Sequence, residues 1–193
     1  MMLRRALPAL AVALVACGGA GDGPSTTQAS ASGAQQPAPA STLIKPSSLT
    51  WTAPAPFTLV AHPSGMRLAT YTVAKAEGDP EDAEMTVTQV GGGVEKNVER
   101  WVAQFDGVSE REKTETTVGD LKVTVIWLEG TYKGMSMPGA PPNTPKGDQA
   151  LLGAIVSGAT GDEHYFKLTG PKKTIESARP AFDELVQSFA KRG

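Results

Sequence analysis

Apolar residues recur along the chain with two different periods. Val94, Val98, Trp101, Val102 and Phe105 fall on one helical face, while Glu95, Lys96, Glu99 and Arg100 occupy the other. Gly91-Gly92-Gly93 marks the start of this first helix and Asp106-Gly107 its end. A second helical stretch carries Ile175, Ala178, Phe182, Leu185, Val186 and Phe189 at helical spacing. Pro171 suits its first turn, where a missing N–H costs nothing. Pro180 lies inside the pattern and predicts a kink or two abutting helices.

Elsewhere Val, Thr, Ile and aromatic residues run between turn residues and predict strands over 49–52, 66–73, 84–90, 121–133, 150–157 and 163–169. Thr116-Thr117-Val118 adds a short strand, with Gly119-Asp120 as a tight turn into the next. Residues 123–128 and 151–156 are apolar on both faces, so those strands are covered on both faces. Residues 66–73 are mixed, as suits a strand nearer the edge. Strands that follow one another without intervening helices pair antiparallel. The expected fold is α+β: an antiparallel β-sheet with helices on both faces, an α/β/α sandwich.

Ahead of this domain the composition changes. Arg4 and Arg5 precede an apolar run over residues 6–16, 11 residues long, whereas a bilayer core requires about 20. The length and flanks fit a secretory signal. The run ends in Leu14-Val15-Ala16-Cys17, which resembles the bacterial lipobox. That resemblance implies a diacylglyceryl group on Cys17, cleavage after Ala16 and acylation of the new amine; two or more acyl chains anchor stably where one does not. The plainer alternative is a secreted protein with a leftover thiol. Gly18 follows the Cys in place of Asp, which, by the sorting habit of Gram-negative lipoproteins, implies the outer membrane, facing the periplasm. Residues 18–48 carry only Asp22 and Lys45 as charges and no aromatic. Such a stretch buries too little apolar surface to offset its ordering entropy. As a flexible coil it reaches about 30 Å. The expected organisation is a signal peptide at 1–16, a lipidated Cys17 and tether to residue 48, and one domain over 49–193.

Charge and composition narrow the function. Lys+Arg number 18 against 20 Asp+Glu, a net charge of -2; without residues 1–16 the balance is 16 against 20. There is no basic excess for nucleic acid, and an acidic domain gains nothing from an anionic bilayer, so the lipid does the anchoring. One Cys makes neither an internal disulfide nor a Cys-based zinc site. A mean hydropathy of -0.18 excludes a polytopic membrane protein.

Candidate chemistry is sparse. Gly91-Gly92-Gly93 could offer N–H groups to an anion, but it lacks the Lys-Ser/Thr of a P-loop and places Glu95 at the helix start, so it reads as a turn. Trp101 lies on the apolar helix face and reads as core, with Arg100 and Gln104 as braces or solvated groups. Glu77, Asp79, Glu81, Asp82 and Glu84 cluster around Pro80 without the spacing of a calcium loop, and read as a solvated acidic turn. Met135 and Met137 sit in a long loop over 134–149 with Pro138, Pro141, Pro142 and Pro145. Soft thioethers suit Cu(I), yet no His or Cys stands near. A loop of this length is often functional, so Met135, Met137, Pro138, Pro141 and Pro142 are the expected partner-binding residues. His62 and His164 are far apart in sequence, His164 reading as a satisfied core or surface imidazole. No catalytic triad, carboxylate pair or G-x-S-x-G motif can be singled out. No metal site, catalytic residue or cofactor is predicted.

Tyr165-Phe166-Lys167-Leu168-Thr169-Gly170-Pro171, followed by an amphipathic helix with Phe182 and Ser188, resembles a PsbP-like domain. The layout is also similar to a group of bacterial lipoproteins of unknown role. In those, a Met66-Arg67-Leu68-Ala69 type strand precedes a Gly-Gly loop, Asn97-Val98-Glu99-Arg100-Trp101 and Gln104, then a Leu152-Gly153-Ala154-Ile155 strand. The resemblance covers about residues 50–190. It implies a fold more than a function, because PsbP-like domains serve as photosystem subunits, assembly factors and Ran-binding proteins. The expected role is a lipid-anchored, non-catalytic binding or assembly module with an envelope protein partner. The alternatives are a small periplasmic hydrolase or metal-dependent enzyme, and a copper or manganese carrier.

Overall fold

The computed structural model describes residues 47–60, 67–134 and 143–193. The apolar run at 6–16, Cys17, the tether to residue 46, His62, Met66, Met135, Met137, Pro138, Pro141 and Pro142 lie outside the described residues. The elements follow in the order β1 (Leu49–Thr50), β2 (Thr58–Val60), β3 (Arg67–Val73), β4 (Ala83–Gln89), α1 (Val94–Val102), β5 (Phe105–Val118), β6 (Leu121–Tyr132), β7 (Lys146–Ser157), β8 (His164–Pro171), α2 (Lys172–Gln187) and β9 (Ala190–Lys191).

Seven strands form one antiparallel sheet in the order β2-β3-β4-β8-β7-β6-β5. β2 to β4 make one meander. α1 then carries the chain from β4 to the far edge, and β5 to β8 meander back until β8 pairs with β4. β1 and β9 form a separate antiparallel ribbon. The fold is α+β, as the element order predicts.

Alternation along the central strands divides the core. Leu152, Ala154 and Val156 of β7 share a cluster with Ile175, Ala178, Phe182 and Leu185 of α2. Leu151 and Ile155, the intervening residues, share another with Val98 and Trp101 of α1. Successive strand side chains point to opposite faces, so each helix packs on its own face. Burying each large apolar side chain of α2 stabilises the fold by about 1.5–3 kcal/mol. Gly153 makes room for α1: a methyl group there would lie 2.3 Å from Trp101 Cζ3. The Trp101 indole instead meets the Tyr165 ring edge-on at 6.1 Å.

Several expectations are corrected. α1 ends at Val102, and Phe105, read as its last turn, opens β5. Its ring still reaches the α1 cluster, which is why it fits the helical pattern. β5 is 14 residues long rather than a short strand at 116–118. Its charged residues occupy a sheet edge, where charge blocks pairing with other chains. The Gly119-Asp120 turn does join Val118 to Leu121. α2 is a single helix through Pro180 rather than two abutting ones, and the ring faces solvent, so the carbonyl it leaves unbonded can meet water. Pro171 stands just ahead of the first turn, at the N-cap. β7 begins at Lys146, so the last residues of the expected 134–149 loop are strand.

Candidate functional site

α1 is nine residues long, about 13 Å of helix, on a sheet roughly 29 Å wide at about 4.8 Å per strand. It covers the side of its face near β5, β6 and β7. Towards β4 and β3 the same face turns polar, with Arg67, Glu84, Thr86, Lys167 and Thr169. The register places Thr86 opposite Lys167 and Glu84 opposite Thr169.

Lys167 is the centre of this patch. Its Nζ donates to Gln104 Oε1 and, at 3.3 Å, to the Tyr132 hydroxyl. The Tyr132 hydroxyl donates to the same Gln104 oxygen at 3.2 Å, and its ring lies 5.4 Å below the amine. Gln104, just past α1, is 3% exposed. Its backbone is held on both sides, its N–H by Trp101 C=O at 3.1 Å and its C=O by Lys133 N–H at 2.9 Å. Tyr132 is aimed by the bulge at Gly130, where a side chain would collide with Gly107 O at 2.3 Å. Burial first, and the Arg67 guanidinium second, push the Lys167 amine down to about 8, against the opposing pull of Glu84. Burial, with the negative charge of Glu84, pushes the Tyr132 phenol up.

Beside this cluster opens a cleft of about 530 Å³, whose walls include Glu81, Glu84, Tyr132, Asn143, Gln149 and Thr169. Arg67 bonds Glu84 at 3.2 Å, and Lys146 bonds both oxygens of Glu81 at 2.6 Å.

The expectation of a merely solvated acidic turn is therefore corrected. Asp79 Oδ2 accepts from the Thr174 N–H at 2.9 Å and from its hydroxyl, capping α2 where Pro171 offers no side-chain cap. Asp82 Oδ1 accepts from Lys75 N–H at 3.0 Å. His164 is corrected too: it is fully buried, and among the described residues neither ring nitrogen has a partner. Burial pushes its imidazole down. The Gly91-Gly92-Gly93 turn stands as read, with Asn97 Nδ2 bonding Gly93 O at 2.8 Å. Trp101 is core, 5% exposed, as its place in the helical pattern predicts. Gln104 proves a brace, and it also presents the acceptor of the site.

Among the described residues no three His, Cys, Asp or Glu side chains come together as a ligand set, and no helix is long and apolar enough to cross a membrane. Sequence reasoning missed Lys167 as chemistry. The available signal was a lysine inside Tyr165-Phe166-Lys167-Leu168, a strand otherwise built for burial.

No protein-family model matches the chain, and no curated protein matches it. Among solved structures it is similar to LpqN of Mycobacterium tuberculosis, described as involved in cell envelope biogenesis. Identity there is 12%, over 75% of this chain and 83% of that one, with a TM-score of 0.46. It is also similar to the cyanobacterial PsbP of Synechocystis, at 11% identity over 75% of this chain and 93% of that one, with a TM-score of 0.43. Likenesses this distant carry no argument about function, which rests on the site.

Proposed function

We propose that this chain is a lipid-anchored envelope protein, held to the outer membrane and facing the periplasm, whose folded part is a non-catalytic binding module. The supporting observation is the cleft beside Lys167. Its amide, hydroxyl and charged groups are already fixed by partners in the protein, so little ordering is left for binding to impose. Cys17 carries the anchor and the following residues to 48 supply the reach. Met135, Met137, Pro138, Pro141 and Pro142 stand between Gly134 and Asn143 and contribute partner contacts.

The test is crosslinking pull-down from native membranes with the tagged full chain and a variant lacking 135–142. Gly134 and Asn143 approach closely, since a methyl on Gly134 would lie 2.8 Å from Asn143 Nδ2, so the ends can be rejoined and β7 kept intact. A protein recovered by the full chain and lost by the variant supports the reading. Identical recovery by both, or nothing specific from either, overturns it. Cys17→Ser should release the chain from membranes with an unchanged unfolding midpoint; a variant that still sediments with membranes overturns the anchor.

A further inference from the structure

The chain enters the folded domain at one pole, and the cleft opens at the other. Ser48 lies beside the β7–β8 connection, where its hydroxyl donates to Thr160 C=O at 2.5 Å. The Arg192 N–H reaches Ser48 C=O at 2.9 Å. The β1–β9 ribbon therefore sits at the end of the sheet where β7 finishes and β8 starts. The cleft takes its walls from the opposite ends of the same sheet: Glu84 near the start of β4, Tyr132 at the close of β6, Gln149 early in β7, and Thr169 and Gly170 late in β8. The register agrees. Gln149 lies opposite Pro171 and Glu84 opposite Thr169, while Val156 and Gln89 flank His164 at the ribbon end. β8 runs from pole to pole with eight residues, about 23 Å at about 3.3 Å per residue.

We propose that the anchored domain carries its cleft on the side away from the anchoring bilayer, so that its protein partner docks from the aqueous space and not from within that membrane. The inference rests on the reading that Cys17 holds the lipid and that the residues after it join the lipid to β1. Given that attachment, the bilayer is a wall behind the ribbon. To bring the cleft to this wall the domain must turn over, and the tether must double back along about 23 Å of sheet. A tether that reaches about 30 Å permits this. Each inverted arrangement nevertheless gives up tether conformations and domain orientations that the upright ones keep. Charge does not reverse the preference. The cleft walls carry Glu81, Asp82 and Glu84 against Lys133 and Lys146, and an acidic surface gains nothing from an anionic bilayer. Upright, the cleft stands about 50 Å from the bilayer at the mean reach of the tether, and a partner in the aqueous space meets it without any inversion.

The experiment measures two heights on the lipidated full chain. The sequence holds one cysteine, and the lipid occupies its sulfur, so an introduced cysteine is the single thiol. Thr144→Cys, exposed on the cleft rim, and Gly193→Cys, exposed beside the ribbon, each receive a donor fluorophore. The chain is placed in phosphatidylcholine vesicles bearing an acceptor-labelled lipid in the outer leaflet. The rate of energy transfer to a plane of acceptors falls with the fourth power of height. Heights of about 30 Å and about 50 Å make transfer from Gly193→Cys up to about eightfold faster than from Thr144→Cys. Equal transfer from the two, or faster transfer from the cleft rim, overturns the proposal. Lys133→Cys, also exposed on the rim, takes the place of Thr144→Cys if that variant does not fold. Flotation with the vesicles reads the anchor separately. A chain that does not float overturns the anchor and this proposal with it, whereas a chain that floats and shows equal transfer overturns this proposal alone.

Discussion

Replacing His164 by Leu should flatten the acid side of the stability curve. His164 sits on β8 with Phe166 and Leu168, on the face covered by α2, and among the described residues neither ring nitrogen has a partner. Charging it there would bury an ion with two unmet donors, so the folded protein keeps it neutral and burial lowers its proton affinity. In the unfolded chain it titrates at its ordinary 6.5. Above 6.5 both states are neutral and the group leaves stability unaltered. Below 6.5 the unfolded chain takes up a proton that the folded chain refuses, so stability falls as the pH falls. The ceiling on that loss between pH 8 and pH 5, reached only if the folded state took up no proton at all, is RT ln(1 + 10^1.5), about 2 kcal/mol. Urea unfolding followed by tryptophan fluorescence at both pH values measures it. At a slope of about 1–3 kcal/mol per molar urea, the wild-type midpoint should drop further than that of His164→Leu, by up to about 1 M. An equal drop in the two would refute the burial argument.

Three further substitutions test the packing. Trp101→Ala removes the indole from against Gly153 and should cost about 3–5 kcal/mol; unfolding as late as wild type would show that the ring is not core. Asp79→Ala uncaps α2 from a distant turn and should cost about 1 kcal/mol in urea unfolding, with no loss refuting the cap. Thr70 is fully buried and, among the described residues, its hydroxyl lacks a partner. Thr70→Val should therefore raise the unfolding free energy by about 1 kcal/mol, and a fall would mean that the hydroxyl is satisfied.

Legibility followed the range of the interactions. The apolar stripe of α2 and the doubly apolar β6 and β7 are local patterns, and the sequence predicts them closely. Phe105 misled because a strand residue after a helix can join the same cluster as the helix, and periodicity records the cluster rather than the backbone. β5 was mostly hidden because Glu112, Lys113 and Glu115 answer to an edge facing water, not to a core. The acidic turn was misread because its partners, Thr174 and Lys146, lie far along the chain. Lys167 is a single letter in an apolar strand. Only the fold brings Gln104 and Tyr132 to it, from the end of α1 and the bulged end of β6.

The ribbon of β1 and β9 also has a mechanical consequence. Leu49 pairs with Lys191, Thr50 with Ala190, and the Arg192 N–H reaches Ser48 C=O at 2.9 Å. A pull on the chain ahead of Ser47 meets this short ribbon before it meets the large sheet. Two-residue strands peel one bond at a time, whereas the 12-residue β6 and β7 would have to shear together. Leu49 is also wholly buried in the core beneath α2, so parting the ribbon withdraws that side chain as well, and the tether is joined to the domain by packing as much as by backbone bonds.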